Sequence, residues 1–311
     1  MQVSRSEAIA ALAAACAAPS FLGAAPDAAQ LRIGDLPFDL LAQPYYCEEM
    51  GFFTKAGLRA RLESFTTGAP IVSAVAGGAL DIGGSNLVSL AIAHARKLPF
   101  VIIAPSGLYS YKAPADALVV PLNSPIKTAK DFAAKTVGVN GLKNITQFSV
   151  QAWIDKNGGD SSRVKFVEIA PAEQTAALAS GRIDGACISE PYIEPAKKVG
   201  RVLANCFDAV APLFIVSAFF STLEWARANV DLVRRFQSAM KESALWANAN
   251  HDKSADILAK ASKVNPQTVR SMYRAVYTDK LDPALMQPVV DVTAKYAGIE
   301  RFPVEEMIFR G

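Results

Sequence analysis

Two short stretches group side chains as a bound molecule would need them. Gly84-Ser85-Asn86 offers a hydroxyl, an amide and unhindered backbone, and Ser189-Glu190-Pro191-Tyr192 offers a hydroxyl, a carboxylate and a phenol. Each closes one copy of an internal echo, Ala74-Val-Ala-Gly-Gly-Ala-Leu-Asp-Ile-Gly83 and Ala177-Leu-Ala-Ser-Gly-Arg-Ile-Asp-Gly-Ala186, in which Gly78 matches Gly181, Leu80 matches Ile183 and Asp81 matches Asp184. Both copies read as a helix stopped by glycine, an Asp at the turn, and a short strand ending in small polar residues. Ligands in open α/β sheets sit at strand ends, so two such units suggest two lobes offering matched edges to one cleft. The plainer alternative is a common helix-to-strand turn occurring twice. For Glu190 three roles stand open: holding a ligand amine, accepting from a heterocyclic N–H, or serving as a hinge residue.

A third candidate lies where the strand Thr136–Val139 runs into Asn140-Gly-Leu-Lys143. Asn144 is expected to cap a helix opening at Ile145 and Thr146, whose free N–H groups and positive dipole end would suit an anionic or carbonyl group. Lys143 adds charge. Gln43-Pro44-Tyr45-Tyr46 opens an earlier helix, and one of the two tyrosines is expected to wall the cleft. Thr67, Ser106 and Tyr109 complete the candidate ligand-binding set.

Catalytic constellations are thin. The only histidines are His94, within a helical stretch, and His251, at a helix connection. There is no Walker phosphate loop and no G-x-G-x-x-G. Cys16, Cys47, Cys187 and Cys206 show no C-x-x-C spacing, so no zinc site is indicated and buried small hydrophobes are expected, with a Cys187 to Cys206 bridge left open. The sequence therefore predicts no catalytic residue, no metal and no cofactor. No arginine falls at the expected strand ends, which argues against a dianion and favours a small, partly aromatic or monoanionic organic molecule.

What must position these residues is a chain of two compositions. Met1 to Glu7 carries Arg5, Ala8 to Gly23 is nearly all Ala, Leu and small residues, and Ala-x-Ala-like sites fall near Ala24 to Ala29, the pattern of an export signal over residues 1–30. Leu12-Ala-Ala-Ala15 before Cys16 is similar to a lipoprotein cleavage box, but Ala13 stands where Leu is usual, so soluble export is favoured over a lipid anchor. The rest, in a chain of 311 residues with 51% hydrophobic content and net charge +3, alternates strands and helices. Its scattered lysines and arginines form no basic stripe for nucleic acid.

Phe100-Val-Ile-Ile-Ala104 reads as a strand covered on both faces. Pro105 to Asp116 has no periodicity and is read as a crossover; a return crossing is placed at Pro212. The expected organisation is α/β, with lobe one formed by 31–108 and 212–311 and lobe two by 109–211. The helices expected at Leu223 to Asn250, Lys253 to Ser262, Pro266 to Thr278 and Pro283 to Ala297 would pack back on lobe one, with Asn265 and Asp282 as caps before Pro266 and Pro283.

Several segments together resemble the exported solute-binding proteins that serve ABC importers of nitrate, sulfonates, taurine and thiamine-pyrimidine precursors. They are Pro44-Tyr45-Tyr46, Glu49-Met-Gly-Phe-Phe-Thr-Lys-Ala-Gly-Leu58, Ala76-Gly-Gly-Ala-Leu-Asp-Ile-Gly83, Val137-Gly-Val139, and Ala179-Ser-Gly-Arg-Ile-Asp-Gly185 with Glu190-Pro191. The resemblance covers residues 31 to 260. It implies a two-lobed type II periplasmic-binding fold, a small-molecule ligand trapped by hinge closure, an ABC permease as partner, and a periplasmic monomer. Several relatives carry Trp where Ser189 stands, so their ligand contacts do not transfer. Related pyrimidine synthases resemble the same fold but carry a cysteine-rich signature and a histidine donor that this sequence lacks; such an enzyme, with Lys143 as the residue to watch, is the alternative, and a ligand sensor for a signalling partner is a further one.

Overall fold

Two five-stranded sheets, built on one plan, carry the molecule. The computed structural model describes residues 29–311; most of the export signal expected over 1–30, and Cys16, lie outside them. The strands are β1 (Ala29–Asp35), β2 (Leu58–Ser64), β3 (Ile82–Asn86), β4 (Phe100–Pro105), β5 (Gly107–Ser110), β6 (Asp116–Pro121), β7 (Thr136–Val139), β8 (Lys165–Glu168), β9 (Gly185–Ser189), β10 (Gly200–Ala204), β11 (Leu213–Ile215), β12 (Ser217–Thr222) and β13 (Val276–Tyr277). The helices are α1 (Gln43–Met50), α2 (Phe52–Lys55), α3 (Gly68–Ala76), α4 (Leu87–Ala95), α5 (Ile145–Lys156), α6 (Pro171–Ala179), α7 (Ile193–Ala196), α8 (Leu223–Ala228), α9 (Val230–Ala249), α10 (His251–Ser262), α11 (Pro266–Ser271) and α12 (Pro283–Ala297). Among the described residues, no helix is long and apolar enough to cross a membrane.

The first sheet has the order β2-β1-β3-β12-β4 and the second β10-β6-β9-β7-β8. In each, three neighbouring strands run parallel, β2-β1-β3 and β8-β7-β9. The sequence echo is the reason. Asp81 accepts the Arg32 N–H through Oδ2 at 2.8 Å and returns its own N–H to the Arg32 carbonyl at 2.9 Å. Asp184 does the same with Thr136, at 2.8 Å in both directions. A carboxylate that closes such a ring fixes the start of the strand that follows against its parallel neighbour, so register is set before the strand begins. Gly78 and Gly181 precede them at φ 71° and 70°, the left-handed conformation that ends a helix at least cost in glycine. The small strand residues recur too: a Cβ on Gly34 would strike Leu80, and one on Gly138 would lie 2.9 Å from Ile183.

The two crossings form a third sheet, β11-β5-β13. The first crossing, read from sequence as irregular, is thus strand at Gly107–Ser110. Ser106 and Ser217, one on each crossing, both donate their hydroxyls to the Leu40 carbonyl at 2.8 Å. The third strand comes from the C-terminal region. Its anchor is a buried ion pair between Arg274 Nη2 and Asp39 Oδ1 at 3.0 Å, joined by the Tyr46 and Tyr277 hydroxyls. The helix expected over Pro266 to Thr278 therefore stops at Ser271, because Ala275 to Tyr277 is recruited to Asp39 and β5 instead.

Of the remaining helices, α9 packs on α1, α2 and β4 in the first lobe. Asn265 and Asp282 cap α11 and α12 as expected, accepting from Gln267 and Ala284 N–H. α12 reaches further than the sequence suggested, lying against α4 and also against α5 of the second lobe. There Tyr296 donates its hydroxyl to Asp155 at 2.8 Å, and its ring centroid lies 6.0 Å from that of Phe148. Cys47, Cys187 and Cys206 are buried free thiols, and the bridge left open between the last two is not formed.

Candidate functional site

A cleft of about 380 Å³ lies between the two lobes. The first lobe supplies one face each of two helices: Gly68, Ala69, Val72 and Ser73 of α3, and Ser89, Ile92, Ala93 and Arg96 along and just past α4. Both sets follow the three-and-four spacing that places side chains on one stripe. Leu36 and Phe38 beyond β1, Thr66, Thr67 and Asn86 complete that wall. The second lobe answers with Asn140, Gly141, Leu142, Lys143 and Asn144, and with Glu168 at the end of β8.

Three helix N-termini meet at this cleft, but their donors are not equally free. On α5, Asn144 Oδ1 accepts from Thr146 and Gln147 N–H at 3.1 and 3.2 Å. Leu142 N–H goes to Glu168 Oε2 at 3.2 Å, and Lys143 N–H to Gln147 Oε1 at 2.7 Å. Two of the helix donors expected from sequence to face a ligand, Thr146 and Gln147 N–H, are thus taken by the cap itself, and the loop N–H of Leu142 by Glu168, a residue too distant in the chain for local reading to find. On α4, Asn86 Oδ1 caps Ser89 N–H at 3.1 Å. α3 differs. Thr67 is its N-cap but makes no side-chain cap bond, and Pro70 has no N–H, so the Gly68 and Ala69 N–H groups remain to be satisfied. Beside them Ser85 Oγ is buried with no hydrogen-bond partner among the described residues, 3.8 Å from where a Cβ on Gly68 would lie. Buried hydroxyls are rarely left so.

The structure brings Thr67, Asn86, Asn140 and Asn144 onto the cleft walls, with Ser85 behind them. Ile145 is buried, and Thr146 donates its hydroxyl to Asn140 Oδ1 at 2.8 Å, so both support the Asn140 to Asn144 loop. The other candidates are placed elsewhere. Tyr45 is half-buried and pairs with Ser64 Oγ at 2.9 Å. Tyr46 is fully buried, its hydroxyl held by Arg274. Ser106 ties the crossing to Leu40. Tyr109 is buried against Phe207 and Phe214 and donates to Asp208 at 2.8 Å. Ser189 donates to Asp116.

Glu190 is 3% exposed and its Oε2 has no partner among the described residues; burial pushes its carboxyl up to about 8. Tyr192 stands edge-on to Phe38 at 6.3 Å between centroids, so the segment Ser189 to Tyr192 touches the first lobe next to the cleft without lining it. Sequence reasoning missed Leu36, Phe38, Val72, Ile92, Arg96 and Glu168. The Ser89-Ile92-Ala93-Arg96 stripe was the available signal for four of the wall positions, but it reads equally as an ordinary amphipathic helix.

The model of the NMT1/THI5-like family matches residues 41–254. A protein of Brucella abortus named as a binding protein is 28% identical over 221 residues, 70% of this chain and 66% of its own length. The taurine-binding periplasmic protein of Escherichia coli is 29% identical over 154 residues, 50% of this chain and 46% of its own length. The chain thus spans less than two thirds of either relative. Among solved structures, the alkanesulfonate-binding protein of Xanthomonas axonopodis pv. citri superposes with a TM-score of 0.77 at 19% identity, covering 92% of this chain and all of that one. A desulfurization enzyme shares the fold with a TM-score of 0.67 at 14% identity.

Proposed function

The chain belongs to the NMT1/THI5-like family, and from that premise we propose that it is the exported, periplasmic solute-binding component of an ABC importer, capturing a small organic anion between its lobes. The observation that carries the reading is the uncapped first turn of α3 on the wall of a cleft between two lobes, with the Ser85 hydroxyl, unpartnered among the described residues, directly behind it. Two N–H groups, a hydroxyl and the positive end of a helix dipole make a seat for an oxyanion head. Leu36, Phe38, Val72, Ile92 and Leu98 supply an apolar wall for the body of the molecule. At about 30 Å³ for each water-sized group, the cleft has room for roughly a dozen of them, more than nitrate needs and suited to a sulfonate with an organic tail. The names of the relatives, taurine-binding and alkanesulfonate-binding, agree with that class.

Closure would bend the chain at the β5 and β11 crossings, divide it into lobes 31–108 with 212–311 and 109–211, and present the closed form to a permease. Calorimetric titration with alkanesulfonates, taurine, nitrate and neutral aromatic amines tests the reading. Small organic sulfonates should bind, and Ser85→Ala should weaken them about tenfold, roughly 1.4 kcal/mol, with no loss of thermal stability, because the hydroxyl has no internal partner to lose. Absence of binding by every organic anion, or release of a reaction product as the desulfurization enzyme's fold allows, would overturn it.

A further inference from the structure

We propose that the solute has two anionic ends: an oxyanion head on α3 and Ser85, and a second anionic group engaged by Arg96 and Lys143. This deepens the reading above and rests on it. Arg96 follows α4 on the same stripe as Ser89, Ile92 and Ala93. At 1.5 Å per residue, the run from Asn86 to Arg96 sets it about 15 Å along the helix axis from the head, less the reach of its own side chain. Between the two ends the α4 stripe runs from Ser89 to the apolar Ile92 and Ala93, with Leu142 facing it from the other lobe.

Lys143 enters from the opposite lobe. Neither cation forms an ion pair among the described residues, although Arg32, Arg274 and Lys135 all do. Among the described residues, Glu168 is the one carboxylate lining the cleft, and its Oε2 already accepts the Leu142 N–H. Both side chains are exposed, so water solvates them before a solute binds; a hydrocarbon tail would gain nothing from them, whereas a carboxylate or second sulfonate would bridge the two lobes through them. This arginine arrives from the C-terminal end of α4 rather than from a strand end.

The test is calorimetric titration of the full chain with three probes of one length: hexane-1-sulfonate, 6-sulfohexanoate and 6-aminohexane-1-sulfonate. The sulfo-carboxylate should bind at least tenfold more tightly than hexane-1-sulfonate, and the ammonium probe more weakly than either. In an Arg96→Gln, Lys143→Gln double variant, shown folded by circular dichroism, the preference for the sulfo-carboxylate should vanish. Equal affinity of the first two probes in the native chain, or a preference that survives in the double variant, would overturn the second anionic end and leave the anion-binding cleft standing. Failure of all three probes would overturn the second anionic end, and failure of taurine and the shorter alkanesulfonates as well would overturn the anion-binding cleft.

Discussion

Ser85 and Glu190 each bury an oxygen without a partner among the described residues, and the two differ in what a charge would do there. The Ser85 hydroxyl is neutral and lies beside free N–H groups, so it waits for an acceptor. Glu190 is an acid whose burial favours the protonated form, which raises its folded-state pKa to about 8 against an ordinary 4.5. Its contribution to stability is therefore complete below about pH 4.5 and is lost as pH rises toward 8. The slope of unfolding free energy against pH should fall by up to about 1.4 kcal/mol per unit in that window, and Glu190→Gln should remove this part of the slope; chemical denaturation at a series of pH values checks it. An unchanged slope in the variant would mean that Glu190 is ionised in the fold. Of the candidate residues, Thr67, Asn86, Asn140 and Asn144 were legible because strand-to-helix turns announce themselves through capping chemistry. Tyr46 and Tyr109 misled because a buried phenol and a cleft phenol are the same letter; only the distant partners Arg274 and Asp208 tell them apart.

Among elements, the ring made by Asp81 with Arg32, and its twin made by Asp184 with Thr136, stands at the strand starts, away from the cleft at the strand ends. Scaffold and recognition are thus separated along each strand. Asp184→Ala should destabilise the protein by about 1–2 kcal/mol through the lost hydrogen bond to Thr136 N–H, while ligand affinity stays within about twofold; paired melting and titration curves measure both. A loss of affinity without loss of stability would contradict the assignment. The alternation of strands and helices was legible because it follows hydrophobic period and glycine stops. The helix opened by Gln43-Pro44-Tyr45-Tyr46 ends at Gly51, in the left-handed conformation at φ 74°. The long helix expected from Leu223 is divided at Asn229. β13 was invisible because two residues carry no periodicity and owe their pairing to Asp39, far away in sequence.

For the molecule as a whole, the decisive element is α12, which lies against α4 of one lobe and α5 of the other. The hydrogen bond from Tyr296 to Asp155, with Lys295 Nζ 3.9 Å from the same carboxylate oxygen, straps the lobes at a separation where both walls line one cleft. Tyr296→Phe should loosen the strap, increase the radius of gyration of the unliganded protein in solution scattering, and weaken ligand binding several-fold by lowering the fraction of molecules whose walls are apposed. An unchanged radius and affinity would show the strap to be passive. Thermodynamic coupling runs both ways: whatever the strap lends to the ligand, the ligand returns to the strap. A filled cleft would therefore make the Asp155 and Tyr296 pair harder to part. The groove of about 680 Å³ between α5 and α12, lined by Asp155, Pro288 and Lys295 and sharing no residue with the cleft, would report at a distance whether the protein carries cargo.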